Sequence, residues 1–419
     1  MYMSFKGIHS EFKKPLDYKI ETALTAIQSG FDVSKHNTGI AFSGGKDSTV
    51  LWDLIRTNFP DKHPYIIFGN TGVEYPESLK FARQLGKEWG GEYFRETKLM
   101  QTKEDGLKYE AQKEVLEWLV KEGRIGEVLK ADGKLKTTRT LEKAATSEMW
   151  EDFHKRNLVW KKGTPMSYWW CVDQYGFPIL GKAASKLDAR RINIDCFLRF
   201  SKSESEKDEI HEYYDVLRQC KFSQHCCKVL KKDPSEHMQI ELDIDVIFKG
   251  LMASESKSRL TNFSTRGYLF KSSRPHLGED PFYHCNPLSI WTDDDIWEYI
   301  HKYSVPYSEL YNMSYMDSEG KEHKVKRNGC FGCATDILYK DNHMQMLRHT
   351  HPELWQYLMK HGFAKELKNL YHTRNKGIPT IVDIFVDPNE LLENRPCAFD
   401  EVGKYVDSDG ILDEYDPEE

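Results

Sequence analysis

Residues Ile40–Leu51 read IAFSGGKDSTVL, an apolar run broken by two glycines, a lysine, an aspartate and three hydroxyls before the chain turns apolar again. A strand that passes through glycines straight into a helix leaves the first helical amides without partners, and the helix dipole favours negative charge at the same place. Glycine lets the backbone approach a ligand closely. Such a turn suits an anion, a phosphate chain above all. Lys46 adds a point charge, and Ser43 and Ser48 add hydroxyl donors. The G-x-x-x-x-G-K-[ST] spacing is absent, so this is not the nucleoside-triphosphatase loop. An ordinary strand-to-helix turn is the alternative.

Outward from that turn, strand patterns at Thr38–Phe42, Tyr65–Phe68 and Glu92–Arg95 alternate with helical patterns at Asp47–Phe59 and Pro76–Trp89. A further helical pattern, Tyr18–Gly30, precedes them and ends on glycine. This rhythm predicts an α/β fold with a parallel sheet and right-handed crossovers, its ligand at the carboxyl ends of the strands. Residues 99–175 interrupt the rhythm and read as a helical insertion, including the aromatic and basic stretch from Trp150 to Val172. A later strand is expected at Asp245–Met252 and a helix at Asp293–Tyr303, capped by Thr292. The organisation predicted is 1–98 and 176–335 as two parts of one α/β domain, 99–175 inserted, 336–404 helical and 405–419 a solvated acidic tail.

The formal charge of the 419-residue chain is -7. The tail from Tyr405 to Glu419 holds seven acidic side chains and no Lys or Arg, which leaves the body near neutral. Net charge therefore does not announce nucleic acid, although a local basic groove is compatible with it. No run approaches eighteen apolar residues, and the N-terminus lacks the order of a signal peptide. The reading is a soluble cytoplasmic protein without a membrane partner.

Nine cysteines in such a chain read as thiols, metal ligands or catalytic groups rather than a disulfide framework. Cys226-Cys227 and Cys330-x-x-Cys333 together supply four candidate ligands. Adjacent cysteines chelate one small tetrahedral ion poorly but can reach different irons of a cubane, which favours a four-iron four-sulfur cluster over zinc; reduced structural thiols are the remaining alternative. Lys228, Lys231, Lys232, Lys324, Lys326 and Arg327 flank the two pairs and could offset thiolate charge or contact an anionic substrate. Cys171, Cys196, Cys220 and Cys285 show no ligand spacing and read as buried free thiols, and His225 beside the tandem pair carries little weight.

Here SGGKDS resembles the pyrophosphate loop of the PP-loop ATP-pyrophosphatase superfamily. Phe68–Glu77 (FGNTGVEYPE) and Asn286–Thr292 (NPLSIWT), followed by Asp295, Trp297, Ile300, Pro306 and Tyr311, resemble the phosphoadenylyl-sulfate (PAPS) reductase family within it. The likeness runs over 33–96 and 176–335. It implies a sheet of the parallel five-stranded type sandwiched by helices, and an adenine nucleotide (PAPS, its 3′-dephospho form APS, or ATP) held by Ser43, Gly44, Gly45, Lys46, Asp47, Ser48, Asn70, Thr71 and Gly72. Lys46 and Arg259 are the catalytic residues it implies, Arg259 standing in the loop Ala253–Arg259 that resembles an arginine-presenting segment; a surface salt bridge is the other reading of Arg259. The CC-then-CxxC arrangement resembles the cluster-binding subset of sulfonucleotide reductases.

Two departures matter. Asn70 stands where many members carry Asp, and the C-terminal Glu-Cys-Gly-Leu-His kind of motif that holds the nucleophile is absent. Cys397, near Arg395, is the only cysteine after the CxxC, and its neighbours do not match. Two further readings follow. One is an ATP-dependent, Mg²⁺-assisted adenylylating sulfurtransferase, taking sulfur from a thiol or sulfur-donor protein and acting on nucleic acid, with Trp160, Lys161, Lys162, Trp169 and Trp170 as a grip or, alternatively, as core. The other is a nucleotide-binding regulatory module without turnover.

Overall fold

The computed structural model describes residues 5–131, 136–178, 223–317, 320–335 and 343–364. Its centre is a six-stranded sheet built from β1 (Asn37–Phe42), β2 (Tyr65–Phe68), β3 (Phe94–Glu96), β6 (Ile244–Lys249), β7 (Leu269–Ser272) and β8 (Phe282–Cys285). The spatial order is β3-β2-β1-β6-β8-β7. All neighbours are parallel except β7 and β8, which pair antiparallel with Leu269 opposite Cys285. The expected sheet of the five-stranded type thus gains an antiparallel edge strand, because β7 folds back on β8 as a hairpin that needs no crossover.

Side chains alternate across the sheet as period two requires. Ile40, Phe42, Ile66, Phe68, Val246 and Phe248 enter one core with the helices Leu16–Val33, Lys46–Asn58 and Asp293–Tyr303. Ile67, Ile247 and Phe282 point to the other face, packed with Met238 and Leu242 from and just after the helix Asp233–Glu241, and Ile244 joins them because the register shifts between Asn37 and Thr38 and breaks the alternation there. The strand order changes direction at β1: β2 and β3 are added on one side and β6 and β8 on the other. That is a topological switch point, and its crevice opens beyond the strand ends.

Several boundaries differ from expectation for local reasons. The first long helix runs through Gly30 to Val33, since Gly30 is a packing glycine: a Cβ there would lie 2.5 Å from a ring carbon of Phe248. The helix from Pro76 stops at Leu85, where Gly86 and Gly90 leave room for Phe94 and the turn widens. β6 stops at Lys249 instead of Met252, and Ala253–Glu255 forms a short 3-10 turn.

The insertion carries its own small core. Leu107, Val115, Leu119, Leu141, Phe153 and Val159 bury one another, and β4 (Gly106–Leu107) pairs with β5 (Val159–Trp160). The helix Tyr168–Tyr175, by contrast, joins a third core around the CxxC with Tyr75, Phe331 and Trp355. Trp170 is buried there, and Trp169 packs against Tyr168, Phe177 and Tyr357. Trp160 donates to Asp173 (2.9 Å) under Lys108. These tryptophans fill core and leave only Lys161 and Lys162 of that group exposed. Beyond the CxxC the described residues form helices His343–Thr350 and Pro352–Leu358. Cys196, Cys220, Arg395, Cys397 and the acidic tail lie outside the described residues. Among the described residues no helix is long and apolar enough to cross a membrane.

Candidate functional site

β1 ends at Phe42, and the chain turns through Ser43, Gly44 and Gly45 into the helix Lys46–Asn58. Gly44 has φ +67°, a left-handed conformation that favours glycine, and a Cβ on it would lie 3.1 Å from the Ser78 carbonyl oxygen. The turn satisfies its own polar groups. The Ser43 amide donates to Ser48 Oγ (3.2 Å), the Gly45 amide to Ser43 Oγ (3.3 Å), and Ser48 Oγ to the Gly45 carbonyl (2.9 Å). From the far end of the chain, Tyr311 Oη accepts from the Lys46 amide (3.3 Å) and Asn328 Nδ2 donates to the Ser43 carbonyl (3.0 Å).

The Lys46 side chain does not line the cleft beside this turn. It is 3% exposed, and its ammonium pairs with Asp47 (2.9 Å) and Asp293 (2.6 Å). Burial alone would discharge it; Asp47, Tyr311 and Asp293 outweigh burial and raise its pKa. Ser43, Asp47 and Ser48 do face the cleft, a cavity of about 400 Å³ beyond the ends of β1, β2 and β6. Its cations are Lys231, Lys249, Arg259, Lys326 and Arg327, against the carboxylates of Asp47, Glu74 and Glu255. The balance is positive, as an anion site requires.

Arg259 lies on this wall, so both readings of it meet: it faces the cleft and is ion-paired with Glu255, which Arg327 also approaches at 3.5 Å. The helix that carries it, Lys257–Arg266, is capped by Ser256 Oγ, which accepts from the Arg259 amide (3.2 Å). Gly250 explains how close the next strand comes. A Cβ there would lie 2.8 Å from the Asp47 carbonyl oxygen, so only glycine lets the end of β6 pack on the turn.

Asn70, Thr71 and Gly72 shape the loop after β2 rather than the cleft surface. Asn70 Oδ1 accepts from the Gly72 amide (2.8 Å), and Asn70 Nδ2 donates to Glu96 (2.6 Å), which Arg83 also holds (3.0 Å). The amide at Asn70 is therefore used on both ends, a role an Asp could not fill. Thr71 is buried; its amide and hydroxyl both donate to Glu74. From this loop it is Gly69 and Glu74 that face the cleft.

The same loop carries the CxxC. Glu74 forms an antiparallel bridge with Cys330, and the Phe331 amide donates to the Val73 carbonyl (2.8 Å). Thr71 Oγ1 lies 3.4 Å from Cys330 Sγ. Cys226 is buried and Cys227 begins a wide helical turn, Cys227–Lys232, that leads into the helix Asp233–Glu241. The Cys226 thiol donates to Cys227 Sγ, which with Lys231 and Lys232 brings Cys227 down to about 6, while the same bond and burial push Cys226 up. Burial pushes Cys330 up to about 12 against the pull of Lys231.

Tyr168 stands within electrostatic reach of Cys226, Cys333 and Cys330, and its hydroxyl donates to the Gly332 carbonyl (2.7 Å). The two cysteine pairs therefore share one neighbourhood. Among the described residues, however, no group of three or more His, Cys, Asp or Glu is arranged to hold a metal ion. Lys231 joins the two halves of the site: it faces the cleft, hydrogen-bonds Cys330 and lies near Glu74 and Cys227. Cys171 and Cys285 are buried, the latter donating to the Ala26 carbonyl (3.3 Å). His225 packs against Tyr175.

Of the residues singled out in the sequence, Ser43, Asp47, Ser48 and Arg259 line the cleft, while Lys249, Glu74 and Asn328 line it without having been singled out. Lysine at the end of an apolar strand looks like a surface residue, and an asparagine in a basic loop carries no signal.

Comparison with known proteins places these features in context. The family model described as phosphoadenosine phosphosulfate reductase domain matches residues 37–148 and 156–334. A phosphoadenosine 5′-phosphosulfate reductase of Xanthomonas axonopodis pv. citri is 30% identical over 99 residues, 23% of this chain and 35% of that protein. An adenosine 5′-phosphosulfate reductase of Staphylococcus haemolyticus is 28% identical over 153 residues, 31% and 58% of the two chains. The chain thus spans between about a third and three fifths of the length of these curated relatives. Among solved structures, the phosphate complex of a PAPS reductase from Candida auris is a distant likeness, with 12% identity and a TM-score of 0.32 over 74% of this chain and 93% of that one.

Proposed function

The chain belongs to the phosphoadenosine phosphosulfate reductase domain family, and from that premise we propose that its cleft binds an adenosine nucleotide carrying phosphate or sulfate and presents it to sulfur chemistry beside the cysteines. One observation carries the reading. Ser43, Asp47 and Ser48, at the start of the helix after β1, and an excess of cationic side chains face one cavity at the switch point of the sheet. Glu74 and Lys231 are shared between that cavity and the cysteine pairs, so a ligand held in the cleft would sit next to the thiols.

Binding would use the turn in a rearranged hydrogen-bond state. The amides now satisfied by Ser43, Ser48 and Tyr311 would turn to anionic oxygens, and Arg259 would exchange part of its pairing with Glu255 for the ligand. Lys46 would then act through Asp47 and the helix start, holding the turn in place and adding long-range positive charge.

An iron–sulfur cluster fits the cysteines in donor type and in neighbourhood: four cysteines on two segments, with Lys231 and Lys232 beside them to offset thiolate charge. Adjacent Cys226 and Cys227 would chelate one small tetrahedral zinc ion poorly, which favours a cluster over zinc. Cys226, Cys227, Cys330 and Cys333 would hold the cluster, which would supply a polarisable redox-capable centre next to the nucleotide cleft. The chain's own residues do the rest: Lys231 keeps positive charge between the thiols and the cleft, and Tyr168 pins the CxxC turn through Gly332.

The test is calorimetry on anaerobically purified full-length protein, titrated with PAPS, APS and ATP. Saturable binding of at least one, weakened about tenfold or more by Arg259→Ala, is the expected result. No binding of any of the three would overturn the proposal. Iron and sulfide should appear in equal amounts and be lost in Cys330→Ser. Release of pyrophosphate from ATP would replace the reductase reading with adenylylation.

A further inference from the structure

Lys249 is the last residue of β6, one strand spacing from Ala41 on β1, which stands two residues before the Ser43–Ser48 turn. It faces the cleft. Its ammonium donates to Nδ1 of His284 on β8 (3.2 Å), and His284 Nε2 lies 3.2 Å from Ser272 Oγ on the edge strand β7. Because Lys249 supplies the proton of the first contact, Nδ1 is the bare nitrogen and Nε2 carries the hydrogen, which it donates to Ser272. The imidazole cannot swing: Phe270 stacks on it at 4.9 Å and Phe282 meets it edge-on at 5.0 Å. Three adjacent strands thus build a bracket whose one exposed product is a fixed ammonium.

That ammonium differs from its neighbours. Arg259 and Arg327 share Glu255, Lys46 has Asp47 and Asp293, and Lys231 has Glu74 and Cys330. Among the described residues no carboxylate stands within ion-pair distance of Lys249, and Lys232 is a cation nearby. A neutral imidazole can aim a buried cation but cannot neutralise it, and a cation withdrawn from water without counter-charge is costly. An anionic ligand in the cleft would supply what the protein leaves out.

Resting on the nucleotide reading above, we propose that Lys249 is a specificity-determining residue that contacts a phosphate or sulfate oxygen of the bound nucleotide other than the group held by the Ser43–Ser48 turn, and that His284 is the positioning residue that aims it.

The experiment uses the full chain, with adenosine 5′-monophosphate and adenosine 3′,5′-bisphosphate as calorimetric probes. Lys249→Met should lower affinity for at least one probe tenfold or more while the melting temperature of ligand-free protein stays within about 2 °C of the parent, a shift small on the scale of a single destabilising change. His284→Asn keeps an acceptor where Nδ1 stands and should bind within threefold of the parent, whereas His284→Leu should match Lys249→Met. The double variant Lys249→Met, His284→Leu should bind no worse than Lys249→Met alone, because both act through one contact. Unchanged affinity of Lys249→Met for both probes, in a chain that does bind them, would overturn the assignment of Lys249 and leave the nucleotide reading standing. Equal losses in His284→Asn and His284→Leu, or additive losses in the double variant, would overturn the positioning role. A parent chain that binds neither these probes nor PAPS, APS or ATP would remove the nucleotide reading itself.

Discussion

His284 is the residue through which acid should first weaken this protein. Burial, then the nearby charges of Lys249, Arg274 and Arg266, bring its pKa down to about 3. An unfolded chain takes up that proton near pH 6.5. Between these values the unfolded state binds more protons than the folded one, so the contribution is complete above about pH 6.5 and is lost as pH falls toward 3. At pH 5, allowing for partial exposure of the ring, the loss should be about 1–2 kcal/mol. Urea denaturation at pH 7.5 and 5.0 should show His284→Asn losing less stability than the parent by that amount. Neither this behaviour nor the bracket was legible in the sequence, where His284 is one histidine among sixteen. Lys46 teaches the converse. Its place after two glycines was legible, but Asp293, remote in sequence and near in space, claims its ammonium.

At the scale of elements, the helix Asp293–Tyr303 shows what local signals reach and where they stop. Thr292 and Asp295 form a reciprocal cap, the Thr292 amide and hydroxyl donating to Asp295 at 2.6 and 2.7 Å, so its start was readable. The same Asp295 also accepts from Lys19 (2.5 Å), which is 1% exposed on the helix Leu16–Val33 and donates further to the Phe12 carbonyl. That bond ties the first long helix to one of the last, and no local pattern announces it. Asp295→Ala would strand a buried ammonium and remove the cap together, at a cost of about 3–5 kcal/mol. Lys19→Met leaves Asp295 still served by Thr292 and should cost clearly less. Denaturant midpoints of the two variants measure the difference, and equal losses would contradict it.

For the molecule as a whole, the insertion is an appendage with a narrow neck. The Thr102 amide donates to the Thr164 carbonyl (3.0 Å) and the Gly163 amide to the Thr102 carbonyl (2.9 Å), so the two strands of the neck already touch. Most of its apolar residues bury one another; toward the rest of the chain it makes polar contacts, Asp173 with Tyr109 and Trp160 and Gln174 with Gln112, and packs Trp160 against the core around the CxxC. Replacing residues 103–162 by a short glycine turn should leave the circular dichroism of the remainder intact and nucleotide affinity within about twofold, well under the tenfold that 1.4 kcal/mol represents. Alternation of apolar residues and the glycine turn were enough to specify a mostly parallel α/β core with a strand-to-helix turn at its carboxyl end, because strand period and helix-end chemistry are local properties of the chain. Which cations meet in the cleft, which are already paired, and that the loop after β2 braces the CxxC depend on contacts between distant segments. Packing the strands side by side brings those segments together, and no stretch of sequence taken singly contains them.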